Sequence, residues 1–150
     1  MSCAVRLLIV LIIGLGLYSK VFAGDFDTAK ISQEGLTANQ ARQVLVVVLE
    51  KLHFKLSKKG MYIDGPLKDT DGKPFRVGYF DFGLTFDSPN AGATDVLGHY
   101  AVNAMTGDVW ETEQCVRYKF SKLTLIQKRI TKQTGAKFVN ENQVREKVGC

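Results

Sequence analysis

"FRVGYFDFGLTFD", Phe75 to Asp87, decides the fold. Phe80, Phe82, Leu84 and Phe86 take its even positions; Tyr79, Asp81, Gly83, Thr85 and Asp87 take the odd ones. Successive side chains of a β-strand point to opposite faces, so strict alternation marks a strand with one face on a core and the other toward water or a partner. The chain then passes through the small-residue loop "SPNAGAT" (Ser88 to Thr94). It returns as "DVLGHYAVNA" (Asp95 to Ala104), turns at "MTGD" and continues as "DVWET" (Asp108 to Thr112). Upstream, "MYID" (Met61 to Asp64) reads as a short strand, and "GPLKDTDGKP" supplies Gly65-Pro66, Asp71-Gly72 and Pro74 as turn material. Four strands joined by turns make an antiparallel meander. If Phe86 faces Val96 across the loop, Phe82 falls opposite Tyr100 and Phe80 opposite Val102 on the core face. Gly83 then falls opposite His99, and Tyr79 opposite Asn103, on the other face.

A helix precedes the strands. Thr37 is an N-cap residue with Gln40 three positions on, a capping box. Ala41, Val44, Leu45, Val48, Leu49, Leu52 and Leu56 follow at 3.6-residue spacing, and Gly60 is the expected stop. After the strands, Phe120, Leu123, Ile126 and Ile130 mark a second helix, with Ser121 a cap candidate and Gly135 at its end. The tail from Ala136 to Cys150 reads as weakly helical at best. The fold class is α+β: an N-terminal helix, a four-stranded antiparallel meander and a C-terminal helix, one domain over residues 37–150. Residues 24–36, polar and aperiodic, read as a mobile arm.

The first 23 residues differ from the rest. Arg6 precedes the apolar run "LLIVLIIGLGL" (Leu7 to Leu17), and "VFA" (Val21 to Ala23) suits a cleavage site. This is the pattern of a secretory signal peptide cut between Ala23 and Gly24, and the run is short for a membrane span. The expectation is a periplasmic or secreted protein with no membrane span after cleavage. Without this segment, 18 basic and 15 acidic residues remain. Lys51, Lys55, Lys58 and Lys59, with Lys128, Arg129 and Lys132, fall in the expected last turns of the helices, where cations complement the dipole. There is no basic stripe interleaved with aromatic residues, so nucleic-acid binding is not expected. Cys115 and Cys150 survive cleavage, and an even pair in an oxidising compartment implies a disulfide.

Reactive chemistry finds little support. On the expected outer face Asp81 lies diagonal to His99, and an Asp can orient a His as a base. No nucleophile motif accompanies them. "DTDG" (Asp69 to Gly72) has Leu67 and Gly78 where a calcium loop needs ligands, and His53 and His99 lack zinc spacing, so neither metal nor cofactor is expected. Binding residues are sought instead on the outer face, at Tyr79, Asp81, His99, Asn103 and the aromatic Trp110. They are also sought in the connecting loop, at Asp87, Ser88, Asn90 and Asp95, because loops on rigid scaffolds carry recognition.

"YAVNAMTGDVWE" (Tyr100 to Glu111) resembles the final hairpin of PepSY-type domains, with Tyr100, Val102, Thr106, Gly107, Asp108 and Val109 matching. The resemblance covers about a dozen residues. PepSY-type and cystatin-like modules are exported α+β domains, often binding or inhibitory, and that is what the resemblance implies. The functional expectation is a small exported binding or inhibitor protein. An immunity protein against a cell-wall-active or proteolytic enzyme is one form of it, and its partner would be a protein. A small hydrolase using Asp81 and His99, and a structural subunit of an envelope assembly, are the alternatives.

Overall fold

The computed structural model describes residues 26–88, 90 and 92–150; the expected signal peptide lies outside these residues. The elements run α1 (Ala38–Lys51), β1 (Met61–Leu67), β2 (Tyr79–Asp87), β3 (Thr94–Asn103), β4 (Val109–Glu111), β5 (Val116–Arg117), α2 (Ser121–Thr134) and α3 (Glu141–Val148). All strands are antiparallel, in the order β1-β2-β3-β4-β5. The α+β meander is as expected, with the two-residue β5 added at its edge.

The pairing Tyr79–Asn103, Phe80–Val102, Phe82–Tyr100 and Gly83–His99 holds. Past Leu84–Gly98 the register slips by one, so Phe86 lies opposite Asp95 and not Val96. The extra residue is Leu97, a bulge that shifts the last turn of the ladder.

The even positions of β2 face α1 and α2. Phe82, Leu84, Tyr100, Val102 and Val109 pack there against Val44, Leu45, Val48, Leu49, Leu123 and Ile130. Ile31 and Leu36, within the stretch read as an arm, are also buried in this core. The capping box forms as read: the Gln40 amide donates to Thr37 Oγ1 at 3.3 Å, and the Thr37 amide to Gln40 Oε1 at 2.8 Å.

α1 stops well before Gly60. His53 takes a left-handed φ of 65°, and the Phe54 amide returns to the Leu49 carbonyl at 3.0 Å. This folds Phe54 back onto the core, a hydrophobic closure of the Schellman kind. His53 therefore ends the helix, and Lys55, Lys58 and Lys59 follow it in turns. Lys58 Nζ lies 4.0 Å from the centre of the Phe86 ring. Phe120, which makes no side-chain cap, is the N-cap of α2, and Ser121 is its first residue; Gly135 closes it at φ 71°.

The largest departure is the tail. Asn140 caps α3 by accepting from the Asn142 amide at 2.9 Å, and Val144 and Val148, one turn apart, turn inward. They cover Tyr79, Ala101 and Trp110 on the face opposite α1 and α2. The sheet is thus covered on both sides, incompletely on the second.

Candidate functional site

The Asn103–Asp108 turn is a buried polar knot. Asn103 Oδ1 accepts from the Met105 and Thr106 amides, each at 3.0 Å, and from Thr106 Oγ1 at 3.1 Å. Asp108 accepts from Trp110 Nε1 at 3.0 Å and from Arg117 Nε at 2.9 Å. Arg117 also lies 3.5 Å from Glu141 Oε2, tying the knot to the start of α3. Gly107 has φ 67°, and a Cβ there would stand 2.4 Å from Ile130 Cδ1. Only glycine meets both demands. Thr106, Gly107 and Asp108 are therefore explained by the joining of sheet and helices.

This removes three expected binding residues from the surface. Tyr79 and Trp110 are buried under α3, and Asn103 is spent on the turn. Burial raises the Tyr79 hydroxyl above its usual pKa. Sequence reasoning left this face open because it did not place α3. Two features hold that helix down. Cys115 and Cys150 are bonded, with Cα atoms 5.6 Å apart. Arg76 Nε donates to the Val148 carbonyl at 2.9 Å, a cation at a helix C-terminus.

Beside α3 the second face stays open as a cleft of about 640 Å³. Leu67, Lys68 and Phe75 line one side, Asp81 and His99 the floor, and Lys147 and Gly149 the α3 side. Asp81 is 4% exposed. Its Oδ1 pairs with Arg76 Nη1, while its Oδ2 has no hydrogen-bond partner. Burial raises its pKa, against the lowering effect of Arg76. His99 turns the other way, placing Nδ1 2.7 Å from Glu113 Oε1. Asp81 and His99 share the cleft but do not bond to each other, so the orienting pair of the hydrolase reading is not formed. Arg76, which sequence reasoning passed over as strand, comes from the loop before β2.

The remaining expected residues lie at the far end of the β2–β3 hairpin. Asp87, Asn90 and Asp95 are exposed and Ser88 is half-buried. Thr94 Oγ1 donates to Asp87 Oδ1 and closes the loop. Beyond the bulge, Val96 and Leu97 are 54% and 42% exposed. The tip is an apolar pair flanked by Asp87 and Asp95. Among the described residues no group of histidine, cysteine and carboxylate side chains could hold a metal ion. None of their helices is long and apolar enough to cross a membrane.

A two-sided sheet, an exposed apolar hairpin tip and an open polar cleft define a small α+β binding module. The chain belongs to the type VI secretion system immunity protein family described as "T6SS, Immunity protein Tgi2PP", whose model matches residues 35–142. It also superposes, with a TM-score of 0.78 and 40% identity, on a chain of a solved structure titled "Structure of a type VI secretion system effector-immunity complex from Pseudomonas protegens". That match covers 84% of this chain and 98% of the other. No curated protein matches the chain. The family match replaces the PepSY-type and cystatin-like resemblance, which the findings do not support.

Proposed function

We propose that this immunity protein acts in the periplasm, by stoichiometric binding rather than catalysis, on a toxin that attacks the cell wall or envelope proteins. The hairpin tip carries the reading. Val96 and Leu97 project past the covered part of the sheet, and the loop beside them bears Asp87, Asn90 and Asp95. An apolar centre with a polar rim is the anatomy of a protein interface. The leader-like residues 1–23 and the bonded Cys115–Cys150 pair support an oxidising location. The solved effector–immunity complex supports a toxin as the partner.

The test is binding between the oxidised protein and toxin captured from envelope extract, followed by titration with the purified toxin. Val96→Glu combined with Leu97→Glu should abolish the complex. Leu125→Glu, on the exposed side of α2, should leave it intact. Equal binding by both would move the interface away from the tip.

A further inference from the structure

Single apolar side chains at a surface need no explanation, but several gathered around one cavity do. Val77, just before β2, is 92% exposed; Phe138 and Val139, between α2 and α3, are 44% and 45% exposed. These two distant segments meet around a cavity of about 210 Å³ beside α3. That is smaller than the roughly 300 Å³ at which pockets for drug-sized ligands begin, and it suits a protein side chain instead. The charged residues in its lining are Asp108, Arg117, Lys137 and Lys147. Asp108 and Arg117 are bonded to each other. Lys137 and Lys147 are exposed and form no ion pair among the described residues. The patch is therefore apolar at its centre and positive at its rim.

The chain itself carries the complement. At the hairpin tip Val96 and Leu97 are exposed, and Asp87 and Asp95 beside them form no ion pair among the described residues. An apolar pair flanked by carboxylates answers an apolar hollow flanked by lysines. The tip does not reach its own patch. Val77 lies beyond the Tyr79–Asn103 end of the β2–β3 ladder and the tip lies at the Asp87–Thr94 end, roughly 25 Å of strand away. We infer that the tip of one copy docks on the Val77–Phe138–Val139 patch of another, with Asp87 and Asp95 toward Lys137 and Lys147. Two different surfaces meet, so the contact repeats head to tail and does not close into a two-fold dimer. It is small, which makes it weak and reversible. The self-contact stands without the immunity reading, but its consequence rests on that reading. A tip seated on another copy is closed to the toxin, and a toxin that binds more tightly draws the chains apart.

Two blocked variants test this. Val96→Glu with Leu97→Glu spoils the tip, and Val77→Glu spoils the patch; all three side chains are exposed, so thermal melts should match wild type. Sedimentation of the oxidised wild-type protein at low salt and rising concentration should give a mass that climbs without stopping at a dimer. Salt should reverse the climb, and Asp95→Ala should weaken each step roughly 2- to 5-fold. Each blocked variant alone should stay monomeric. Mixed, they should form a one-to-one pair that grows no further, because one sound tip and one sound patch remain. Monomer throughout, a wild-type mass that levels off at a dimer, or no pair on mixing overturns the inference. Toxin binding keeps the two readings apart: Val77→Glu should bind purified toxin like wild type. If no pair forms and Val77→Glu loses the toxin, the patch belongs to the toxin; the self-contact falls and the immunity reading stands. If the mixed pair forms while the toxin binds the tip variant as it binds wild type, the tip is not the toxin's site and the self-contact remains.

Discussion

The two faces of the sheet are built on different terms. The face toward α1 and α2 is mainly apolar: Phe82, Leu84, Val102 and Val109 meet Val44, Leu45, Val48, Leu49, Leu123 and Ile130 of the two helices. The face toward α3 is held by a short helix with two inward valines, a disulfide, the Arg76–Val148 hydrogen bond and the Asp108 knot. The first face holds the larger apolar cluster. The second is assembled from specific links and leaves a cleft where they end. An apolar face tolerates no gap, whereas a face pinned at points can keep polar groups at the edge of a cavity.

The contrast can be broken from either side. Phe82→Ala empties the centre of the first face and should cost about 3–5 kcal/mol, enough to threaten folding altogether. Urea unfolding measures it, and a small loss would mean the helices collapse onto the gap. Removing the disulfide with Cys115→Ser and Cys150→Ser frees a loop spanning 35 residues. Chain-entropy reasoning puts that at roughly 3–4 kcal/mol. The sheet should survive in circular dichroism while Trp110 fluorescence shifts to the red as α3 lifts. An unshifted spectrum would show that Val144 and Val148 hold the helix unaided. Asp108→Ala leaves Trp110 Nε1 and Arg117 buried without their acceptor, for about 1–3 kcal/mol. A melt equal to wild type would show the knot to be dispensable.

A pH series sharpens the contrast further. Burial lifts the Asp81 carboxyl above its ordinary value of 3.8. Below that value the group is protonated in both folded and unfolded chains and carries no penalty. Above the raised value it is ionised in both, and the folded state bears the full desolvation. Stability from this group is therefore lost as pH rises through the interval between the two. Asp81→Asn should flatten that loss, read as the change in Tm difference between variant and wild type across the interval. A constant difference would show Asp81 to be well solvated. The least effect is expected at the hairpin tip, where Asp95→Ala should change stability by no more than about 0.5 kcal/mol.

Most of the first face could be read from the chain. The alternation of residues 79–87 placed Phe80, Phe82 and Leu84 on the first face, and the pairing from Tyr79 to Leu84 agrees with the register drawn from a Phe86–Val96 match. Thr37 and Gln40 announced the start of α1, and the cysteine count gave the bridge. The second face was hidden for physical reasons. Val144 and Val148 are too few to make a helical stripe, and α3 gains its place through tertiary links that no local pattern encodes. Arg76 sits where the alternation still looks like strand, yet it bends back to Asp81 and Val148. The early end of α1 was masked because Leu56 keeps the apolar spacing after the backbone has left the helix. Of the expected site residues, those on the loop remained at the surface. Of those on the sheet, Tyr79, Asn103 and Trp110 went into the scaffold, while Asp81 and His99 ended in one cleft.

The bulge at Leu97 has a consequence for how such a protein can diverge. Up to Leu84 one face of β2 and β3 is fixed by the core and the other by α3, the turn or the cleft, and a one-residue slip would exchange the two faces. Past the extra residue the ladder has its own phase, and the side chains of Thr94 to Leu97 are exposed. Lengthening the loop or exchanging Val96 and Leu97 is therefore uncoupled from the packing of the domain. On the proposed function, this lets the residues at the tip change while the sheet they stand on is inherited unchanged.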